Sequence, residues 1–236
     1  MLWDIYAAGY DLIAGLAPYQ DMLDEIVAAL DLRPGMRVLD AGCGTGALTV
    51  RLAERHPEVT IVAVDASSAM LKRARRRVPS KAEFHQADIN SYLAAHAGSF
   101  DRIVSVNLLW ALDDPTATIG RMADGLRPGG QMVHTTPRWR FRFDRIVTEH
   151  LRRTRGLVAL LRALALLPSL ALAGLLNLVL VLHVLARHQT WRDRRRWQAQ
   201  GLQRLFSRPD LTSFALRPTY AQQGFIVTCT KVPDPR

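Results

Sequence analysis

Residues 38–49, "VLDAGCGTGALT", decide how the rest of the chain is read. Gly42, Gly44 and Gly46 follow an apolar run and precede "ALTVRLAERH" (47–56), whose apolar residues recur at helical spacing. Glycines between a strand and a helix let the backbone approach a ligand closely and aim amide N–H groups at it. Taken alone, Gly42-x-Gly44-x-x-Ala47 also satisfies the dinucleotide fingerprint, so a nicotinamide-binding domain is one reading. Asp40 argues against it. An acid still on the strand, two residues before the first glycine, disfavours a pyrophosphate and suits a ligand with a positive end.

Working outward, the pattern repeats. "MRVLDAG" (36–42), "VTIVAVDAS" (59–67), "AEFHQADI" (82–89), "FDRIVSVNLL" (100–109) and "GQMVHTTP" (130–137) read as short β-branched strands. Helical segments at 47–56, 68–78, 91–97 and 115–126 alternate with them. Two amphipathic helices, 3–16 and 19–30, come first, the second ending before Pro34-Gly35. "LTSFALRPTYAQQGFIVTCTKV" (211–232) reads as two closing strands around a turn near Tyr220–Gly224. Alternating strands and helices imply parallel pairing with crossovers on both faces. The expected fold class is α/β: a doubly wound, Rossmann-like, seven-stranded sheet, mostly parallel with the last strand antiparallel.

With these elements in place, D-x-G-C-G-T-G at Asp40–Gly46 resembles the nucleotide-binding motif of the class I S-adenosylmethionine-dependent methyltransferases. The resemblance covers roughly residues 3–137 and 211–231 and is closest to small-molecule-, lipid- and quinone-directed members. It implies S-adenosylmethionine as cofactor. It places Asp40, Gly42, Cys43, Gly44 and Gly46 on the donor loop. Asp65 would meet the ribose hydroxyls, with Ala66 and Met70 beside it. Asp88 and Ile89 would meet the adenine, and Asn107 and Leu108 would lie at the end of the fourth strand. Tyr10, in "YD", belongs to N-terminal helices that close over the donor in this family. Each acid also has a bland reading, as a helix cap or turn residue, and Tyr10 one as packing.

The chain is long enough to bury a core. Its two cysteines, Cys43 and Cys229, cannot build a disulfide framework, which points to a reducing intracellular compartment. "MLWDIYAAGYD" lacks a basic n-region, so it is not read as a signal peptide. Charge is uneven. Residues 138–208 hold 15 Lys/Arg against three acids, a net +12, while the remainder sums to −2. Within this segment lies "GLVALLRALALLPSLALAGLLNLVLVLHVLA" (156–186), with Arg162 its one formal charge. The expected domains are therefore 1–137 with 207–236 as the donor-binding domain, and 138–206 as a helical insertion between strands five and six.

The uncharged stretch Ala163–Leu182 is 20 residues, long enough to count as a membrane-span candidate. A single crossing would put the closing strands on the wrong side of the bilayer. Pro168, Gly174 and Asn177 offer places to turn, so a shallow interfacial hairpin is expected. Arginines with Trp139, Phe141, Phe143, Trp191 and Trp197 flank it, as at a headgroup layer. This predicts monotopic attachment of 138–206 to an anionic inner membrane face, with the catalytic domain in the cytoplasm. A buried lid and a homodimer contact through the apolar insert are the competing readings.

The expected reaction is methyl transfer to a lipophilic, membrane-resident acceptor such as a lipid, quinone or polyprenyl-like molecule. The alternatives are a soluble natural-product methyltransferase with a hydrophobic lid, and a non-catalytic, membrane-tethered donor-binding module. Nucleic acid is not the expected partner, because an uncharged run has no role between basic clusters that grip a strand. Nor does "NLLW" (107–110) match the Asn/Asp-Pro-Pro-aromatic motif of methyltransferases acting on base amino groups. Tyr10, His134 and Tyr220 are the candidate catalytic groups, His134 being mid-strand and so also a packing residue. Trp110 and Gln222 are candidate acceptor contacts. No metal set is expected from His150, His183 and His188.

Overall fold

The computed structural model describes residues 11, 14–78, 82–138, 140–153 and 197–233. Most of the first expected helix, including Tyr10, lies outside the described residues, as do Trp139, Trp191 and the whole of 156–186. The elements are α1 (Ala17–Ala29), β1 (Arg37–Ala41), α2 (Ala47–Arg55), β2 (Thr60–Asp65), α3 (Ser68–Arg77), β3 (Glu83–Gln86) and α4 (Ile89–Ala94). Then come β4 (Phe100–Val106), α5 (Pro115–Gly125), β5 (Leu126–Pro137), α6 (Phe143–Arg153), α7 (Ala199–Leu205), β6 (Leu211–Thr219) and β7 (Gly224–Lys231). The seven strands form one sheet in the order β3-β2-β1-β4-β5-β7-β6. Pairing from β3 through β5 is parallel, and β7 is antiparallel to both its neighbours, as expected from sequence.

Alternating side chains along each strand divide the interior in two. On one face Val38, Ile61, Val104 and Val133 pack beneath α1, α2 and α6. On the other Leu39, Val62, Ile103 and Met132 pack beneath α4, α5 and α7. Helix α1 buries Met22, Leu23, Ile26 and Val27, one stripe at helical spacing. Its end is fixed from below by Arg102, whose guanidinium donates to the carbonyls of Leu30 (2.5 Å) and Asp31 (3.1 Å). These are carbonyls that a helix terminus leaves without partners of its own.

Two expectations need correcting. Strand β3 stops at Gln86, and Asp88 instead caps α4, its Oδ1 accepting from the Ser91 amide at 2.9 Å. Helix α5 does end before "RPGG" (127–130), as its composition suggests. Pairing steps from Phe100↔Leu126 to Arg102↔Gln131, so Arg127–Gly130 is looped out within the span of β5. Trp197 is no headgroup anchor: it is 2% exposed, packed with Leu202 and Phe206 in the core beneath α7. On the opposite face Ile146 of α6 is fully buried, with Phe141 and Phe143 packed beside it. The described ends of 138–206 are thus built into both layers of the domain they were expected to interrupt.

Candidate donor and acceptor site

The switch in strand order falls between β1 and β4, where an open parallel sheet leaves a crevice at its carboxyl edge. The glycine loop leaves β1 there. Gly42 and Cys43 amides both donate to the Val64 carbonyl of β2 (2.8 and 3.0 Å), which fastens the loop to the neighbouring strand. Gly42 has φ +70°, and a Cβ on it would stand 2.7 Å from Leu108 Cδ1. The positive φ favours glycine here, and without a Cβ the Leu108 side chain can lie directly on the loop. Gly46, at φ +80°, starts α2 against Ala74 of α3, leaving a Cβ just 3.0 Å from the Ala74 Cβ.

Asp65 ends β2 half-buried, and both its oxygens are engaged. Oδ2 accepts from the Gly44 amide and Oδ1 from the Ser67 amide, each at 2.8 Å. These two amide donors orient the carboxylate at the end of β2. Asp40 lies deeper. It is 1% exposed and takes a 2.7 Å bond from the Thr49 hydroxyl of α2. Burial pushes its carboxyl up to about 7, against the pull of Thr49 and helped by the nearby Asp65 charge. Cys43 is enclosed, and burial followed by the Asp40 and Asp65 charges pushes its thiol well up, away from the reactive thiolate.

The remaining expected donor contacts divide. Ala66 and Asp88 are exposed at the carboxyl edge. Met70 and Ile89 are buried core residues on opposite faces of the sheet. Asn107 turns the chain after β4 at φ 52°, its amide donating to the Thr135 carbonyl and hydroxyl (3.0 and 3.2 Å). Next to the undescribed Tyr10, Asp11 pairs with Arg73 (2.9 Å) and Arg77 (2.8 Å), and Arg77 also donates to the Thr45 hydroxyl in the glycine loop. Asp11 of the "YD" motif is thereby tied to the loop through Arg77 of α3, a link the sequence did not reveal.

His134 belongs to the core. It has no exposed surface and shares a 2.7 Å hydrogen bond between Nδ1 and Ser105 Oγ. Its ring lies against Phe206, and burial depresses its basicity to about 3. That is the packing role, and a base so weak and enclosed takes no proton from a substrate near neutral pH. Tyr220 does sit at the carboxyl edge, because Pro137↔Gly224 pairing brings the β6–β7 turn there. Its ring is 5% exposed, edge-on to Tyr19 and beside Phe141 at centroid distances of 5.8 and 5.6 Å. Trp110 is half-buried between the two cores, and Gln222 is exposed at the turn. Sequence reasoning overlooked Gln223, which binds the turn to the start of α6. Its carbonyl accepts from the Arg138 amide (2.8 Å) and its Oε1 from the Arg142 amide (3.0 Å). Among the described residues no cluster could hold a metal ion.

This donor set fits S-adenosylmethionine. Positive-φ glycines leave a cradle for the ligand, Asp65 suits a diol and the buried Asp40 field suits a cation. A doubly wound sheet with a glycine loop and two such acids at its carboxyl edge is a nucleotide-binding type of arrangement. Residues 38–130 match the family described as "Methyltransferase domain". The chain is 36% identical over 113 residues to trans-aconitate 2-methyltransferase of Deinococcus radiodurans, covering 48% of this chain and 42% of that protein. It is 36% identical over 105 residues to ubiquinone biosynthesis O-methyltransferase of Aromatoleum aromaticum, covering 43% and 44%. Among solved structures, N-methyltransferase NodS from Bradyrhizobium japonicum, in complex with S-adenosyl-L-homocysteine, superposes with TM-score 0.58 at 17% identity, covering 92% of this chain and 89% of that one. The chain carries a class I S-adenosylmethionine-dependent methyltransferase domain, and its matches span about half the length of these two curated relatives.

Proposed function

We propose that the protein transfers a methyl group from S-adenosylmethionine to a lipophilic small molecule presented by 138–206. The observation that carries this reading is where that segment begins. It leaves β5 at Pro137, on the same carboxyl edge as the glycine loop, Asp65 and Asn107. Helix α6 keeps to that edge: the Ala17 amide, at the start of α1, donates to His150 Nδ1 at 3.1 Å. The apolar run 156–186 follows three residues after Arg153. The two curated relatives are named for acceptors as different as trans-aconitate and a ubiquinone precursor pathway, which supports a small-molecule acceptor and leaves its choice to parts outside the shared domain.

When bound, S-adenosylmethionine supplies an electrophilic methyl on a sulfonium. The backbone cradle of Gly42–Gly46 and Asp65 would hold the donor in position, while Asp40 beneath the loop would favour its positive end. Leu108, Trp110 and the Tyr220 turn shape the water-poor side from which an acceptor lone pair approaches in line. Transfer to the acceptor would leave the carbon–sulfur electron pair on sulfur. An acceptor that began as a hydroxyl or amine then releases its proton to solvent.

No helix among the described residues is long and apolar enough to cross a membrane. Interfacial seating of 156–186 on an anionic cytoplasmic membrane face is part of the proposal, supported by its composition and basic flanks. The burial of Trp197 favours a second reading, a lid over a soluble hydrophobic acceptor. The test incubates purified protein with methyl-labelled donor and vesicles of total membrane lipid, then counts label in the organic phase. Label there, lost in Asp65→Ala together with ~1–3 kcal/mol of donor affinity by calorimetry, supports the proposal. Donor binding with no labelled lipid moves the acceptor to the soluble class.

A further inference from the structure

We propose that Arg138 is an anion-recognition residue of the acceptor site, and that the acceptor carries a carboxylate. The inference rests on the methyl-transfer reading and narrows its acceptor to an amphiphile, apolar at one end and acidic at the other. Arg138 is the first residue after β5, with its amide bonded to the Gln223 carbonyl at 2.8 Å. Three residues earlier, Thr135 holds Asn107 at the end of the neighbouring β4. Arg138 therefore stands one strand away from the donor crevice, beside the start of the segment proposed to present the acceptor.

Among the described residues its side chain has a ring contact and no hydrogen-bond acceptor at Nε. The guanidinium carbon lies 4.4 Å from the Phe225 ring centroid, and Nε is enclosed. An aromatic ring attracts the cation but does not accept its in-plane N–H groups. Other arginines have partners for at least part of the guanidinium. Arg102 has backbone carbonyls and Arg208 has both oxygens of Asp210; the Arg37 Nε is also enclosed without an acceptor, but its Nη2 pairs with Glu83 at 3.3 Å. The nearest acid along the chain, Asp144, is taken by Arg142 at 2.6 Å. Arg138 has no ion pair among the described residues. A fixed positive charge with an enclosed, unanswered donor is costly unless a ligand answers it. The planar fork of a guanidinium matches a planar carboxylate through two parallel N–H···O bonds.

The probes are decanoate and its neutral counterpart decanamide, titrated calorimetrically into the full chain saturated with S-adenosylhomocysteine. The expected result is decanoate binding about 10- to 100-fold more tightly than decanamide, as for a charge-assisted pair. Arg138→Met, which keeps an apolar stem over Phe225, should erase that preference with donor affinity and melting temperature unchanged. Arg138→Lys, a charge without the fork, should keep part of it. Equal affinity for the two probes, no decanoate binding, or an undiminished preference in Arg138→Met overturns the proposal. Displacement of decanoate by phosphatidylcholine vesicles containing oleic acid would assign the carboxylate to a bilayer. Decanoate binding without displacement would assign it to a soluble acid. Either supports the site. These titrations need no turnover, so absence of methyl transfer is a separate result that bears on the enzymatic reading alone.

Discussion

At the scale of single residues, Asp40 and His134 are a pair of opposites, one on each face of the sheet. Asp40 is raised from the ordinary carboxylate value to about 7, and His134 is depressed to about 3. Unfolded, they titrate near 3.9 and 6.5. Between about pH 4 and 6.5 the unfolded chain holds the histidine proton and the folded chain holds the aspartic proton. Each group alone makes stability pH-dependent, with opposite sign. Asp40 binds more protons folded than unfolded, so its contribution falls as pH rises from about 4 to 7. His134 binds fewer, so its contribution rises from about pH 3 to 6.5. In the native protein the two slopes offset one another. Asp40→Asn should leave stability rising with pH across this window, and His134→Gln should leave it falling. Urea denaturation at pH 4.5, 5.5 and 6.5 measures both, and parallel profiles for the two variants would refute the assignment. The sequence made Asp40 legible as an acid at the glycine loop, through spacing alone. It did not reveal that the carboxyl is spent on Thr49, because a hydroxyl nine residues on becomes its partner only when α2 folds back over β1.

At the scale of elements, the strand–helix alternation was legible because it repeats: each short β-branched run carries its own helix and its own stop signal. What misled were local signals overridden by packing. Trp197 has the composition of an interfacial anchor, yet the apolar face of β5 and β7 was there to cover it. Helix α6 is the clearest case. Its sequence, "FDRIVTEHLRR", reads as a charged shoulder with few apolar residues, but Ile146 alone is fully buried between α6 and the core beneath α1. Arg153 then reaches both Glu149 (2.9 Å) and Asp21 of α1, an exposed network that adds little by itself. Docking of α6 should thus depend on Ile146. Ile146→Ala is expected to cost about 2–4 kcal/mol in chemical denaturation. Leu151→Ala, at a position 43% exposed, should be nearly neutral. Should Ile146→Ala leave global stability unchanged and only speed hydrogen exchange in 143–153, α6 would be a loosely held flap and not part of the cooperative unit.

At the scale of the whole molecule, two characters are joined in one chain. Residues outside 138–208 sum to −2 and form an α/β domain, while 138–208 carry +12 around an apolar run. Composition cannot say what such a run covers, since twenty uncharged residues satisfy a bilayer surface, a lid and a subunit contact alike. The described flanks limit the question: α6, ending at Arg153, enters one layer of the domain, and Trp197 with α7 enters the other. That packing of the flanks makes an excision interpretable. Replacing 157–185 with a Gly/Ser bridge retains α6, Trp197 and both flanking arginine clusters, and removes only the apolar run with Arg162. Donor affinity should stay within twofold of the full chain, because every donor-site residue described above lies outside the excised segment. Flotation with phosphatidylglycerol vesicles should fall to background at about 150 mM salt, where the Debye length is about 8 Å and arginines without an apolar anchor hold a surface weakly. At about 10 mM salt some binding should return, carried by the arginines left behind. Flotation that persists at the higher salt would place the membrane contact elsewhere, and the outer face of α3, with Lys72 and Arg76 exposed, is the surface to vary next.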